Sequence, residues 1–133
     1  MNGLLLDTHI FLWRAVDDSR LHEKIHDLID EESGPVYLST VSAWEIAIKH
    51  GLGKLDLRRP ITDLLNLRTY GMQFLQPSSQ EFVAYSQLGF PVEGHRDPFD
   101  RMLAVQALER DLLFVTADVV FQRYLPSNLQ LVR

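Results

Sequence analysis

The chain has 133 residues, of which 46% are hydrophobic, with a formal net charge of −5 and no cysteine. That length predicts a single domain spanning 1–133, able to bury roughly two thirds of the surface its unfolded chain would expose. The missing cysteines exclude disulfides, thiolate metal sites and a cysteine nucleophile. The acidic balance argues against nucleic-acid binding by side-chain charge alone.

The elements follow in order. GLLLD (3–7) predicts a buried strand and 9–16 a short helix. LHEKIHDLIDEES (21–33) predicts an amphipathic helix with Leu21, Ile25, Leu28 and Ile29 on one side, broken by Gly34-Pro35. VYLS (36–39) is a second strand. A helix from about Ser42 to His50 stops near Gly51 and Gly53. PITDLLNLRTY (60–70) predicts a helix with Pro60 near its start and Gly71 after its end. MQFLQP (72–77) is the third strand and SQEFVAYSQLG (79–89) a helix. DPFDRMLAVQALERD (97–111) is a further helix, LLFVTAD (112–118) a fourth strand, DVVFQRYL (118–125) a short helix and LQLV (129–132) a last strand.

Strands separated by helices imply crossover connections. The expected fold is α/β: a three-layer α/β/α sandwich around a mainly parallel sheet of about five strands, apolar on both faces. No apolar run approaches the roughly 18 residues of a membrane span, and no basic segment precedes a long apolar one. Cytoplasm is the expected compartment.

In sheets of this kind ligands bind beyond the carboxyl ends of the strands. Asp7 ends the first strand, Glu45 lies in the first turn after the second, Asp97 and Asp100 open a long helix, and Asp118 ends the fourth strand. All five acids belong to one edge of the sheet. Strand order decides whether they share a crevice. At about 100° per residue, Asp97 and Asp100 share the side of Leu103, Ala104, Ala107 and Leu108, opposite a polar side of Gln106, Glu109 and Arg110. Inward carboxylates need partners.

Each acid also has a structural reading. Asp97-Pro98 suits an N-cap followed by proline at the first helical position. Asp100 suits the helix dipole, although that does not explain its inward direction. Ser42-Ala-Trp-Glu45 fits a capping box, and Lys49 is placed to pair with Glu45. Thr116-Ala-Asp118 fits a cap for 118–125. Asp7 has no evident local partner except Thr8 or a helix amide. His22 and His26 read as solvated, and His95 as a loop residue able to reach a substrate.

Converging carboxylates raise one another's pKa and favour entry of a hard cation, Mg²⁺ or Mn²⁺ rather than zinc. Such an ion reconciles an acidic protein with a phosphodiester and needs no nucleophilic side chain. Two alternatives use the same residues differently. One is an α/β phosphatase with Asp7 as nucleophile, against which His9 stands where one such family has a second aspartate. The other is a catalytically silent binding module.

LLLDTHIFLW, SAWEIAIKHGLGKL, HRDPFDRMLAVQA and LLFVTAD, in this order and spacing, resemble the PIN domain ribonucleases, most closely the VapC-type toxins of type II toxin–antitoxin pairs. The resemblance covers nearly the whole chain. It implies a metal-dependent endoribonuclease, with Asp7, Glu45 and Asp100 as the acidic core and Asp118 at a more variable fourth position. Asp97 matches a less central acid and Thr116 a hydroxyl often near the metal. It also implies an RNA substrate, a homodimer and an antitoxin whose C-terminal segment covers the active edge. Arg96, Arg101 and Lys49 are the nearest candidates for phosphate contacts.

Overall fold

The structure is a computed structural model describing residues 1–89, 94–95 and 97–132. Five strands form one sheet in the order β3-β2-β1-β4-β5. They are β1 (Leu4–Leu6), β2 (Val36–Ser39), β3 (Gln73–Leu75), β4 (Leu113–Thr116) and β5 (Leu129–Leu131). All neighbouring pairs are parallel, with Leu5 opposite Tyr37 on one side and Phe114 on the other. The expected α/β fold with a parallel five-stranded sheet is therefore observed.

Side chains alternate across each strand. Leu4, Leu6, Leu38 and Val115 join Ile10, Phe11, Ile25, Ile29 and Ile46 in one core. Leu5 and Phe114 join Leu103, Ala104, Ala107 and Phe121 in the other. Helices therefore cover both faces. The first core takes α1 (Thr8–Ala15), α2 (Glu23–Glu31) and α3 (Thr40–Gly51), together with the single turn α4 (Ile61–Leu64). The second takes α6 (Pro98–Glu109) and the single turn α7 (Phe121–Tyr124), with α5 (Ser79–Gln87) packed against α6.

Several expectations change. The helix expected over 60–70 is α4 followed by a 3₁₀ turn at Leu67–Tyr70. Asn66 separates them at φ −79°, ψ 82°, outside helical geometry. Asparagine favours such breaks because its side chain competes for nearby backbone groups. Gly71 closes the turn at φ 68°, where a side chain would be strained. The sheet is not apolar throughout, because the edge strand β3 exposes Gln73 and Phe74.

The polar side expected for α6 is also wrong in part. Gln106 is fully buried and Leu108 is 43% exposed. The helix lies between the sheet and α5, so its supposed solvent side is covered at Gln106, while Glu109 is exposed as expected. The Gln106 amide donates to the Leu75 carbonyl at 3.3 Å, while its Oε1 has no hydrogen-bond partner among the described residues. Arg101 is buried too, with its guanidinium 5.3 Å from the Tyr85 ring centre.

The helix after β2 starts at Thr40, capped by the Ser39 hydroxyl, which accepts from the Val41 amide. The expected Ser42–Glu45 capping box does not form, because Ser42 already lies inside the helix. The box that does form opens α5, with Ser78 and Glu81 exchanging both hydrogen bonds.

Candidate active site

Chain order places the site. The path runs outward from β1 through β2 to β3, then returns to set β4 on the other side of β1. The crevice beyond the carboxyl ends of β1 and β4 is the switch point where ligands bind in such sheets. A cavity of about 490 Å³ opens there. Asp7, Glu45, Asp97, Asp100 and Asp118 all line it, with Thr8 and Lys49. Five acids from four parts of the chain thus share the single crevice that the sequence could not settle.

Asp7 follows β1 and caps α1. One carboxylate oxygen accepts from the Thr8 amide at 2.8 Å, and the other from the Thr116 hydroxyl at 2.6 Å. Both partners come from the same edge, one from the next residue and one from the end of β4. Burial, at 8% exposure, pushes the Asp7 carboxyl above its ordinary pKa despite these donors, and Glu45 adds to the rise. The Thr116 Oγ1 also accepts from the Asp118 amide at 3.0 Å. Thr116 therefore ties Asp7 to the turn that carries Asp118. Asp118 itself is exposed, and its side chain accepts from the Val120 amide.

Glu45 is held from two directions. Its Oε2 accepts from Lys49 one helical turn on, at 2.9 Å. Its Oε1 lies 2.9 Å from Thr8 Oγ1, which stands at the same distance from Ser42 Oγ. A single threonine proton serves the carboxylate or the serine, not both. Lys49 is held above its ordinary pKa, first by the Glu45 hydrogen bond and also by Asp97 and Asp100.

Asp97 is the N-cap of α6, accepting from the Phe99 and Asp100 amides at 2.9 and 3.1 Å. Asp100 therefore starts the helix facing the cavity. Burial, then the neighbouring Asp97 charge, pushes its pKa up to about 7, and Asp7 contributes in the same direction. His95 opposes this with a contact of 3.2 Å from Nε2 to Asp100 Oδ2, while its Nδ1 lies 2.8 Å from the Tyr124 hydroxyl.

The chemistry of the donors suits a hard cation: oxygen ligands only, in a site where two carboxyl groups resist ionisation. Each central acid is at present satisfied by protein, Asp7 by Thr116, Glu45 by Lys49 and Asp100 by His95. Among the described residues no three acids stand close enough together to hold an ion. The acids thus share a cavity but do not form a closed ligand cage.

Of the expected phosphate contacts, Lys49 borders the cavity, Arg101 is buried away from it, and Arg96 lies outside the described residues. Sequence reasoning did not assign Thr8 a place in the site, although Thr8 follows the strand end and the same edge rule covers it. It did not find Tyr124 either, which no local pattern marks. His22 and His26 are not simply solvated: His22 caps α2 and His26 contacts Arg14 at 2.7 Å.

The fold and sequence have relatives. The chain is similar in fold to VapBC2 from Rickettsia felis, solved bound to a promoter DNA fragment, with a TM-score of 0.74, 16% identity and 98% and 99% of the two chains covered. It is similar to VapBC-1 from nontypeable Haemophilus influenzae, with a TM-score of 0.72, 19% identity and 97% of each chain covered. FitAcB from Neisseria gonorrhoeae matches with a TM-score of 0.57, 18% identity and 98% and 96% coverage. A search of curated protein sequences gave no match. The PIN domain family matches residues 4–124, from the first strand to the end of α7, and this chain belongs to that family.

Proposed function

We propose that the chain is a single-domain, Mg²⁺- or Mn²⁺-dependent endoribonuclease, the VapC-type toxin of a toxin–antitoxin pair acting in the cytoplasm. The observation that carries this reading is the meeting of Asp7, Glu45 and Asp100 in one cavity at the switch point of a parallel sheet. Family membership supports the nuclease class. The fold neighbours, solved as VapBC and FitAcB assemblies, support an antitoxin partner.

In this reading Asp7, Asp100 and Asp118 would hold the ion, which would supply polarisation of the phosphoryl oxygen and a lowered pKa of the attacking water. Glu45, fixed between Thr8 and Lys49, accepts a hydrogen bond from that water and orients it for attack. Lys49 lies beside the entering phosphate and offsets its charge. Thr116 positions Asp7, and Asp97 fixes the start of α6 so that Asp100 faces the cavity. We read the active form as a homodimer. No helix among the described residues is long and apolar enough to cross a membrane.

The test is cleavage of cellular RNA by purified protein with magnesium, manganese or a chelator. Wild type cuts with either metal and not with the chelator, and Asp100→Asn does not cut while remaining folded. Equal cutting by Asp100→Asn overturns the reading.

A further inference from the structure

A second groove adjoins the carboxylate cavity. His9 and Trp13 border both. They lie one turn apart on α1, with ring centres 6.3 Å apart and planes inclined by 54°. Beyond Trp13 the groove meets Arg20 and Arg58. The Arg20 guanidinium carbon lies 5.1 Å from the Trp13 ring centre.

The cations here differ from an ordinary surface ion pair. Arg20 lies 2.7 Å from Asp18, and Arg58 lies 3.9 Å from the same oxygen. One carboxylate, 9% exposed, is thus shared by two guanidiniums that are 63% and 59% exposed. Asp56 also lines the groove, so two arginines face two aspartates and the lining is formally neutral in a chain whose total is −5. Arg58 is held at φ 61°, left-handed backbone that a non-glycine residue seldom adopts, and its amide donates to Asp56. A built turn therefore presents the cation towards the groove.

Aromatic rings followed by arginines beside a phosphodiester site are the combination that holds single-stranded nucleic acid. Bases stack on the rings and the backbone follows the charge. We propose that this groove is the path of the RNA strand flanking the cut, with one base against His9 and Trp13 and the adjoining phosphate on Arg20 and Arg58. The inference rests on the ribonuclease reading and deepens it. It also eases the charge problem, because the strand leaves a cavity lined by five acids for a formally neutral groove that offers two exposed guanidiniums.

The chain has two tryptophans, Trp13 and Trp44, so Trp44→Phe leaves Trp13 as the sole emitter. The experiment titrates that protein with a short single-stranded oligoribonucleotide, calcium replacing magnesium to suppress cleavage. Expected are quenching of Trp13 fluorescence and, read for every variant from the anisotropy of a labelled oligonucleotide, about tenfold weaker binding after Trp13→Ala and recovery with Trp13→Phe. Arg20→Gln with Arg58→Gln weakens binding independently of any packing role of Trp13. That double variant also makes the dependence of log affinity on log salt shallower by about 1. Unchanged affinity and salt slope in the arginine variant, or absence of quenching on binding, overturns the proposal. Quenching without RNA cleavage by wild type with magnesium or manganese would sink the nuclease reading and leave the path standing. Cleavage with kinetics indifferent to all these variants would do the reverse.

Discussion

Asp100→Asn should make the metal-free protein more stable at neutral and alkaline pH while abolishing the proposed activity. Burial and the Asp97 charge raise the Asp100 pKa from 3.8 to about 7. A folded-state pKa above the unfolded one means that the native protein holds the proton more tightly. Stability is therefore lost as pH rises from about 4 to about 7, and the full penalty is present above that range. At about 1.4 kcal/mol per pKa unit, the upper bound is about 4 kcal/mol. Loss of the carboxylate near the α6 N-terminus returns about 0.3–1 kcal/mol. The net gain for Asn is therefore at most about 3–4 kcal/mol at about pH 8 and vanishes near about pH 4. For a chain of this size each kcal/mol moves Tm by about 4 °C. Thermal unfolding followed by circular dichroism across that pH range, with and without magnesium, measures it. A divalent ion at ten times its Kd should stabilise wild type by about 1.4 kcal/mol and the variant by less. An Asp100→Asn protein less stable than wild type at about pH 8 without metal would refute the electrostatic reasoning.

Two further outcomes follow from the hydrogen bonds around the cavity. Thr116→Val removes the donor to Asp7 and the acceptor for the Asp118 amide, and should cost about 1–3 kcal/mol in chemical denaturation and lower cleavage together. Ser39→Ala should cost about 1 kcal/mol through loss of the α3 cap, whereas Glu45→Gln should reduce RNA cleavage without the signature of a lost cap. Matched melting curves and cleavage rates for these two variants would separate capping from chemistry.

The parallel sheet was legible because apolar runs alternate with helical patterns, and strand ends mark the edge where sites form. Asp7, Glu45, Asp97, Asp100 and Asp118 were placed on that edge from position alone. Their common crevice was not legible, since it depends on β4 seating beside β1, a long-range pairing without a local signal. The Ser42 box was misread because helix start signals compete. Ser39 precedes it and suits the end of β2 equally well. Gln106 was misjudged because helical periodicity assumes one solvent side, whereas α5 covers part of that side of α6. The two-sided burial of Gln106 comes from α5, whose approach the wheel of α6 alone does not encode.

The Thr116 hydroxyl has a developmental consequence. It belongs to β4, 109 residues after the carboxylate that it steadies at the end of β1. A ribosome that stops before β4 releases a product without its central strand partner or the clasp on Asp7. Competence of the pocket therefore waits until β4 has been made and has paired with β1.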